Sequence, residues 1–167
     1  MTVVSKLMEI WVKAPALKGA RLAIVSACLK HVNEAFYRKV LEEHDVVLEH
    51  CPENENQAFY GKIASIIRSS QPKSITVVTI DGSPHCFQIH AAVNEAVYIL
   101  SNPIPRKHYV VIYDRVVEIS PESIRVARYL HLVDELIKKY PEVLKKLVGL
   151  SLEYKRAIEV GDAVLKP

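Results

Sequence analysis

The feature that most constrains the fold of this chain is the alternation of apolar runs with amphipathic segments. Residues 22–28 (LAIVSAC) and 74–81 (SITVVTID) are rich in apolar and β-branched side chains. Runs of this kind are typical of central strands in a parallel sheet, which are buried on both faces. Residues 32–43 lie between these runs and place apolar side chains at helical spacing, with charged side chains on the opposite face. Strands and helices therefore alternate, which predicts a parallel sheet covered by helices.

The same alternation continues to the end of the chain. Three shorter strands are predicted at residues 45–49, 108–113 and 116–119. Further helices are predicted over 3–13, from about Pro52 to Ser70, over 85–100, from the N-cap Ser120 onward, and over 141–161. The prolines and the Gly82-Ser83-Pro84 turn separate these elements.

A chain of 167 residues, half of them apolar, is long enough to bury one core. We therefore expect a single α/β domain with a flavodoxin-like, Rossmann-like three-layer sandwich. Its sheet is predicted to be mostly parallel and five-stranded, in the common order 2-1-3-4-5. An N-terminal helix with its lead-in would occupy residues 1–20, and a C-terminal helix residues 141–161.

Composition limits the cellular setting and the partners. The chain has no run of about 18 apolar residues, and its first residues do not resemble a signal peptide, so we expect a cytoplasmic protein and no membrane association. A net charge of +3, with Lys and Arg not interleaved with aromatic residues, makes nucleic acid an unlikely partner. The Lys and Arg residues of the C-terminal half could dock an acidic redox protein. The apolar side chains of the last helix predict packing within the chain, with a homodimer contact as the alternative.

All three cysteines follow predicted strands. Cys28, Cys51 and Cys86 come after the first, second and third apolar runs, respectively. Because the carboxyl ends of parallel strands meet at one edge of a sheet, the three thiols are predicted to gather there. An odd number of cysteines in a cytoplasmic chain favours reduced thiols over disulfides. Cys28 could instead be a buried apolar group at the end of its strand.

Cys86 has the most informative surroundings of the three. It lies in the first turn of a predicted helix, where free N–H groups and the helix dipole favour a thiolate. His90 is one turn further along the helix, and His85 is adjacent, so both imidazoles are candidate metal ligands beside Cys86. Asp81 ends the preceding strand and is a candidate acid, base or orienting carboxylate, or else the cap of the helix.

These residues predict a metal centre at the carboxyl edge of the sheet, and we expect its function to be linked to redox chemistry. Its candidate ligands are Cys28, Cys51, Cys86, His85 and His90. Three thiolates with one imidazole suit tetrahedral zinc, and three thiolates with an open position suit an iron-sulfur cluster. The sequence does not distinguish zinc from a cluster, and it contains no CxxC pair.

Residues 50–99 (HCPENENQAFYGKIASIIRSSQPKSITVVTIDGSPHCFQIHAAVNEAVYI) carry a resemblance that bears on this choice. The segment is similar to uncharacterised archaeal proteins of ferredoxin iron-sulfur type. Its strand, cysteine-bearing turn and helix also resemble the iron-sulfur delta subunit of viologen-reducing hydrogenase, although the paired cysteines of that family are absent. The resemblance implies an iron-sulfur cluster and a redox function.

The sequence leaves three other functions open. Cys86 could be the nucleophile of an acyl-transfer or thiol-redox enzyme, with His85 or His90 as its base, Asp81 to orient the imidazole and turn N–H groups as an oxyanion hole. Alternatively, Gly82 and Ser83 could bind a phosphate or carboxylate at the helix N-terminus. In the third, the C-terminal helices form an interaction module.

Overall fold

A computed structural model describes residues 1–163 and divides the chain into two compact units, Met1–Pro121 and a second unit that begins at Glu122. The strands are β1 (Val3–Lys6), β2 (Arg21–Ser26), β3 (Val46–His50), β4 (Ser74–Ile80), β5 (Arg106–Ile112) and β6 (Arg115–Ile119). The helices of the first unit are α1 (Leu29–Val32), α2 (Glu34–Glu43), α3 (Phe59–Ser70) and α4 (Pro84–Leu100), with a short 3₁₀ helix at Pro15–Leu17.

The six strands form one sheet in the order β1-β3-β2-β4-β5-β6. Neighbouring strands are parallel except for the β5–β6 hairpin. Without β1, this order is the predicted 2-1-3-4-5, so the α/β sandwich and its strand order are confirmed. The described sheet has six strands rather than five because β1 adds a parallel strand outside β3.

The sheet is central because side chains of each inner strand are buried on both of its faces. In β2, Leu22 and Ile24 pack in one cluster with Ile63 of α3 and Ile89 of α4. The alternate residues Ala23 and Val25 pack in a second cluster, which includes Val40 of α2. Burying an isoleucine or leucine fully contributes roughly 1.5–3 kcal/mol. The continuous apolar runs are therefore explained by burial on two faces.

The predicted N-terminal helix over residues 3–13 is wrong. Val3–Lys6 is a strand paired with Val46–Glu49, and residues 7–14 form turns before the 3₁₀ helix. Leu7 is fully buried and Met8 packs against the core, whereas Val4 and Trp11, which share their helical spacing, are exposed. Two β-branched valines favour the strand, and β3 supplies the hydrogen bonds that an isolated strand would lack.

Of the other predicted helices, the one placed from about Pro52 begins only at Phe59, and several of the rest contain breaks. The helix predicted over residues 32–43 is interrupted at Asn33. The Asn33 side chain accepts a hydrogen bond from the backbone N–H of Phe36 and so caps α2. The remaining helices are α5 (Pro121–Ala127), α6 (Leu130–Lys139), α7 (Glu142–Leu150) and α8 (Leu152–Glu159). Ser151 caps α8 in the same way, so the predicted 141–161 helix is two helices. No helix in the described part of the chain has the length and apolar character to cross a membrane.

Candidate functional site

The three cysteines lie on loops that leave three adjacent strands at the carboxyl edge of the sheet. Cys28 is at the N-cap position of α1 just after β2, Cys51 directly follows β3, and Cys86 lies in the first turn of α4, after β4. Since β3, β2 and β4 are neighbours in the sheet, the predicted adjacency of the preceding strands is confirmed. This region is called the thiol edge below.

Cys28 is within electrostatic reach of the other two thiols at this edge. Partial desolvation of its sulfur raises the pKa of Cys28, and the neighbouring Cys51 and Cys86 raise it further. Cys28 is exposed, so the alternative in which it is a buried group that ends β2 is wrong. Cys51 and Cys86 are partly buried. Within residues 1–163, no group of three or more His, Cys, Asp or Glu side chains is arranged around a common point as ligands of one metal ion.

Cys86 has a hydroxyl neighbour that the sequence did not reveal. The Ser26 Oγ lies 3.1 Å from the Cys86 Sγ, and either atom can donate the hydrogen bond. Ser26 is buried at the end of β2, where the alternation of side chains turns it toward α4, as it does Leu22 and Ile24. The period of β2 could have placed Ser26 on the same side as Cys86, but only the fold brings the two residues together.

The turn before α4 uses its polar groups to start the helix. The Ser83 hydroxyl accepts a hydrogen bond from the Cys86 N–H at 3.3 Å, and the Ser83 carbonyl accepts one from the Phe87 N–H at 3.2 Å. Pro84 has no N–H to offer. Gly82 is exposed, with a φ of +79° that favours glycine. The turn therefore offers an anion or an oxyanion fewer donors than the sequence suggested.

His85 and Asp81 are both near the thiol edge and open to solvent. The His85 Nδ1 lies 3.8 Å from a carboxylate oxygen of Glu53, which connects the start of α4 with the loop after Cys51. His85 therefore lies beside the loops that carry Cys51 and Cys86. Asp81 is exposed at the end of β4, and its backbone N–H donates to the carbonyl of Val111. The N-cap of α4 is Ser83, so Asp81 does not cap the helix.

The geometry contradicts the predicted role of His90 as a metal ligand. His90 is buried, with its Nε2 2.8 Å from the Thr79 hydroxyl and its Nδ1 2.9 Å from the His108 Nδ1. Burial, and then the nearby His108, lower the pKa of His90 to about 3. Both ring nitrogens are engaged inside the protein. The helical spacing from Cys86 was correct, but α4 turns this position toward the sheet.

His50 is the functional candidate that the sequence analysis missed. It ends β3 fully buried and pairs in register with Ser26. Its Nδ1 lies 2.6 Å from a Glu55 oxygen, its ring packs on Phe59, and its Nε2 has no partner within the described structure. Burial lowers the pKa of His50, and the Glu55 hydrogen bond opposes that effect. A carboxylate on Nδ1 fixes the tautomer and leaves Nε2 as an acceptor, which is the usual arrangement behind a ligating or basic histidine. The sequence signal that could have identified His50 is its position as a histidine at the end of an apolar strand.

Comparison with known proteins identifies the fold family. A sequence model of a family described as a Rossmann-like domain matches residues 14–163. The chain belongs to this family. No curated protein and no solved structure matches it. The description of the Rossmann-like domain names no ligand.

In a Rossmann-like domain, ligands bind outside the carboxyl ends of the strands, where the strand order reverses. Here the chain runs from β2 outward to β3 and then crosses back to β4, so the reversal lies between β2 and β4. Cys28 follows β2, and Cys86 follows β4. Two of the three thiols therefore flank the position where this fold has its opening for a ligand.

Proposed function

We propose that this Rossmann-like domain binds a thiolate-ligated metal centre at the thiol edge, with Cys28, Cys51 and Cys86 as ligands. The observation that carries the proposal is the gathering of all three cysteines on adjacent loops, with Cys28 within electrostatic reach of Cys51 and Cys86. Thiolates select zinc, cuprous copper and iron-sulfur clusters over harder metals. His85, partly exposed beside the loop after Cys51, is available as a fourth ligand.

Of these centres, an iron-sulfur cluster fits the arrangement better than one zinc ion. Tetrahedral zinc holds each sulfur at about 2.3 Å, so its ligand sulfurs are only ~4 Å apart. The described side chains do not include three donors grouped in that way. In a cluster, each thiolate binds a different iron atom, so the sulfurs are further apart. The proposed centre takes one electron from a reduced partner protein and gives it to an oxidised one, and the exposed Cys28 marks the side open to such partners.

Anaerobic purification followed by iron, sulfide and zinc analysis tests this proposal. We expect iron and acid-labile sulfide in similar amounts, with broad visible absorption that bleaches on reduction. Cys51→Ser and Cys86→Ser should each lose most of the iron, and His85→Gln should lose part of it. His131→Gln is the matched control, because it makes the same chemical change on the exposed face of α6. A chain that binds neither iron nor zinc after anaerobic reconstitution would overturn the proposal.

A second candidate function, a reactive thiol at Cys86, is favoured by the hydroxyl of Ser26 at 3.1 Å. A hydroxyl that donates to a thiolate stabilises its charge. Iodoacetamide is a suitable probe, since the attacking sulfur forms a thioether and iodide leaves with the bonding electrons. This candidate predicts that Cys86 is alkylated faster than Cys28 and that Ser26→Ala slows the reaction several-fold at neutral pH. Equal rates at all three cysteines in the metal-free protein would contradict it.

A further inference from the structure

A cleft of about 460 Å³ lies at the opposite end of the sheet from the thiol edge. It opens between α2 and the amino ends of three strands, which begin at Arg21, Ser74 and Arg106. Its volume is within the range of small-molecule sites, roughly 300–1,000 Å³. The residues that line this cleft take part in neither proposed function. The name basic cleft is used below for this cavity.

The inner part of the basic cleft combines apolar walls with a polar floor that is already satisfied. Phe36, Val40 and Pro105 supply apolar surface. On the floor, the His44 Nδ1 lies 2.8 Å from the Val40 carbonyl, and the His44 Nε2 lies 2.8 Å from the Thr76 hydroxyl. A carbonyl only accepts, so Nδ1 carries the proton, and Thr76 donates to Nε2 in the neutral ring. A ligand therefore meets no unused polar group in these side chains and contacts them with its apolar part.

The rim of the cleft is cationic. Arg21, Lys39, Arg106 and Lys107 line it, against the single carboxylate of Glu43. The Lys39 Nζ is 3.8 Å from a Glu43 oxygen, a loose exposed contact that neutralises little charge.

Two of the cations are held in place by neighbours. Asp45 binds the Arg21 guanidinium through both of its carboxylate oxygens, and the Arg106 Nε donates to the neutral Asn94 side chain at 2.8 Å. Asp45 thus offsets the charge of Arg21. Asn94 orients the Arg106 guanidinium.

We infer that the basic cleft binds a small organic anion whose charged group lies at the rim and whose apolar body packs against Phe36 and Val40. The rim supplies charge, and the walls supply contact area for burial. Phosphate esters and aromatic carboxylates or sulfonates share this chemistry. Nothing in this inference depends on a metal or on the thiols.

Three fluorescence and calorimetry probes separate the parts of the inference. Anilinonaphthalene sulfonate has rings and a charge, N-phenylnaphthylamine has rings alone, and inorganic phosphate has charge alone. We expect saturable binding of the sulfonate with one site per chain and much weaker binding of the other two. An unlabelled nucleoside monophosphate and an aromatic carboxylate, each competing with the sulfonate, then show which class of anion the cleft prefers.

The double substitution Lys39→Gln/Lys107→Gln tests the location. It should weaken sulfonate binding roughly tenfold, since it removes two exposed positive charges from the rim. Lys13→Gln/Lys18→Gln is the matched control, because it removes the same charge from exposed positions that do not line the cleft. Bound sulfonate should also protect Lys39 and Lys107 from acetylation.

Two results would overturn the inference. Equal weakening by both double substitutions would show a non-specific charge effect. Alternatively, the cations could serve only the carbonyl end of α2, where a helix dipole favours positive charge. In that case Lys39→Gln/Lys107→Gln lowers the unfolding temperature, and the wild-type protein shows no saturable binding.

Discussion

The two ends of the sheet differ in the kind of charge they carry. The thiol edge holds Cys28, Cys51 and Cys86 with His50 and His85, groups whose charge changes with pH, oxidation or a bound metal. The basic cleft holds arginines and lysines, which keep their charge across the physiological range. One end therefore suits a soft metal or an electrophile, and the other suits a preformed anion. Since both ends belong to the same sheet, the contrast can be tested by changing one end at a time.

The largest expected effect is that substitutions at each end of the sheet abolish or weaken the binding of one ligand and leave the other unchanged. Cys51→Ser or Cys86→Ser should remove most of the bound iron, roughly tenfold or more, because a lost ligand leaves the centre open. The same variants should bind anilinonaphthalene sulfonate as the wild type does. Lys39→Gln/Lys107→Gln should show the reverse pattern in the same two assays. If either change affects both ligands, the two ends are not independent.

The second effect is on acid stability. The pKa of His90 is lowered to about 3 from 6.5, so the folded state keeps this ring neutral while the unfolded chain takes up a proton below about pH 6.5. The stabilisation is therefore present above pH 6.5 and is lost as the pH falls toward 3. Between pH 7 and pH 5, this single group should reduce the free energy of unfolding by about 2 kcal/mol.

Urea unfolding of the wild type and of His90→Gln at both pH values measures this loss, and His131→Gln is the exposed control. We expect His90→Gln to be less stable at pH 7, because the hydrogen bonds to Thr79 and His108 change, but also less sensitive to pH. An unchanged pH dependence in His90→Gln would contradict the assignment.

The third effect is on salt dependence. Raising the ionic strength from about 0.05 M to about 0.5 M shortens the screening length from ~14 Å to ~4 Å. Sulfonate affinity at the basic cleft should then fall about fivefold, since its recognition relies on exposed charges. Alkylation of Cys86 by neutral iodoacetamide should change much less. A similar salt dependence of sulfonate binding and of Cys86 alkylation would contradict the proposed difference between the permanent charges of the basic cleft and the thiol edge.

The smallest effect concerns the ion pair beside the cleft. Arg21 holds the pKa of Asp45 at about 2, so the pair is intact at neutral pH and is lost only as the pH falls from about 4 toward 2. Both side chains are about half exposed, so Asp45→Asn should cost under about 1 kcal/mol of unfolding free energy. Sulfonate affinity should rise about twofold, because the charge of Arg21 is no longer offset.

Glu34→Gln is the matched control for Asp45→Asn. It breaks the exposed Glu34–Arg38 pair on α2 and lies outside the cleft lining. It should leave sulfonate affinity unchanged. A drop in affinity in Asp45→Asn would mean that Asp45 is needed to orient Arg21 for the ligand.

Local patterns in the sequence were enough to predict the order of the inner strands. The runs at 22–28 and 74–81 are buried on both faces, and right-handed crossovers limit how such strands connect. The edge strand β1 was missed because its identity depends on pairing with residues 46–49, far along the chain. Its valines also fit a helical spacing with Leu7 and Trp11, so the local signal was ambiguous.

For the candidate site, the sequence predicted which loop each residue occupies but not which way its side chain points. The gathering of Cys28, Cys51 and Cys86 follows from strand order alone. The roles of His90 and His50 could not be predicted in this way, since they depend on which side of an element faces the sheet. The orientation of α4 about its own axis places His90 against Thr79 and not beside the thiols. The basic cleft is formed by residues that start strands, and no motif marked them.

The position of β1 has a consequence for how the protein behaves in a crowded cell. This strand is four residues long, ends in an exposed lysine and covers one side of β3. Short, charged edge strands discourage other chains from adding to a sheet. Deleting residues 1–6 would uncover the hydrogen-bonding groups of Val46–Glu49, a segment of the same length as β1 that carries three buried apolar side chains. The shortened chain should therefore be prone to self-association through strand addition, even where its remaining core stays folded.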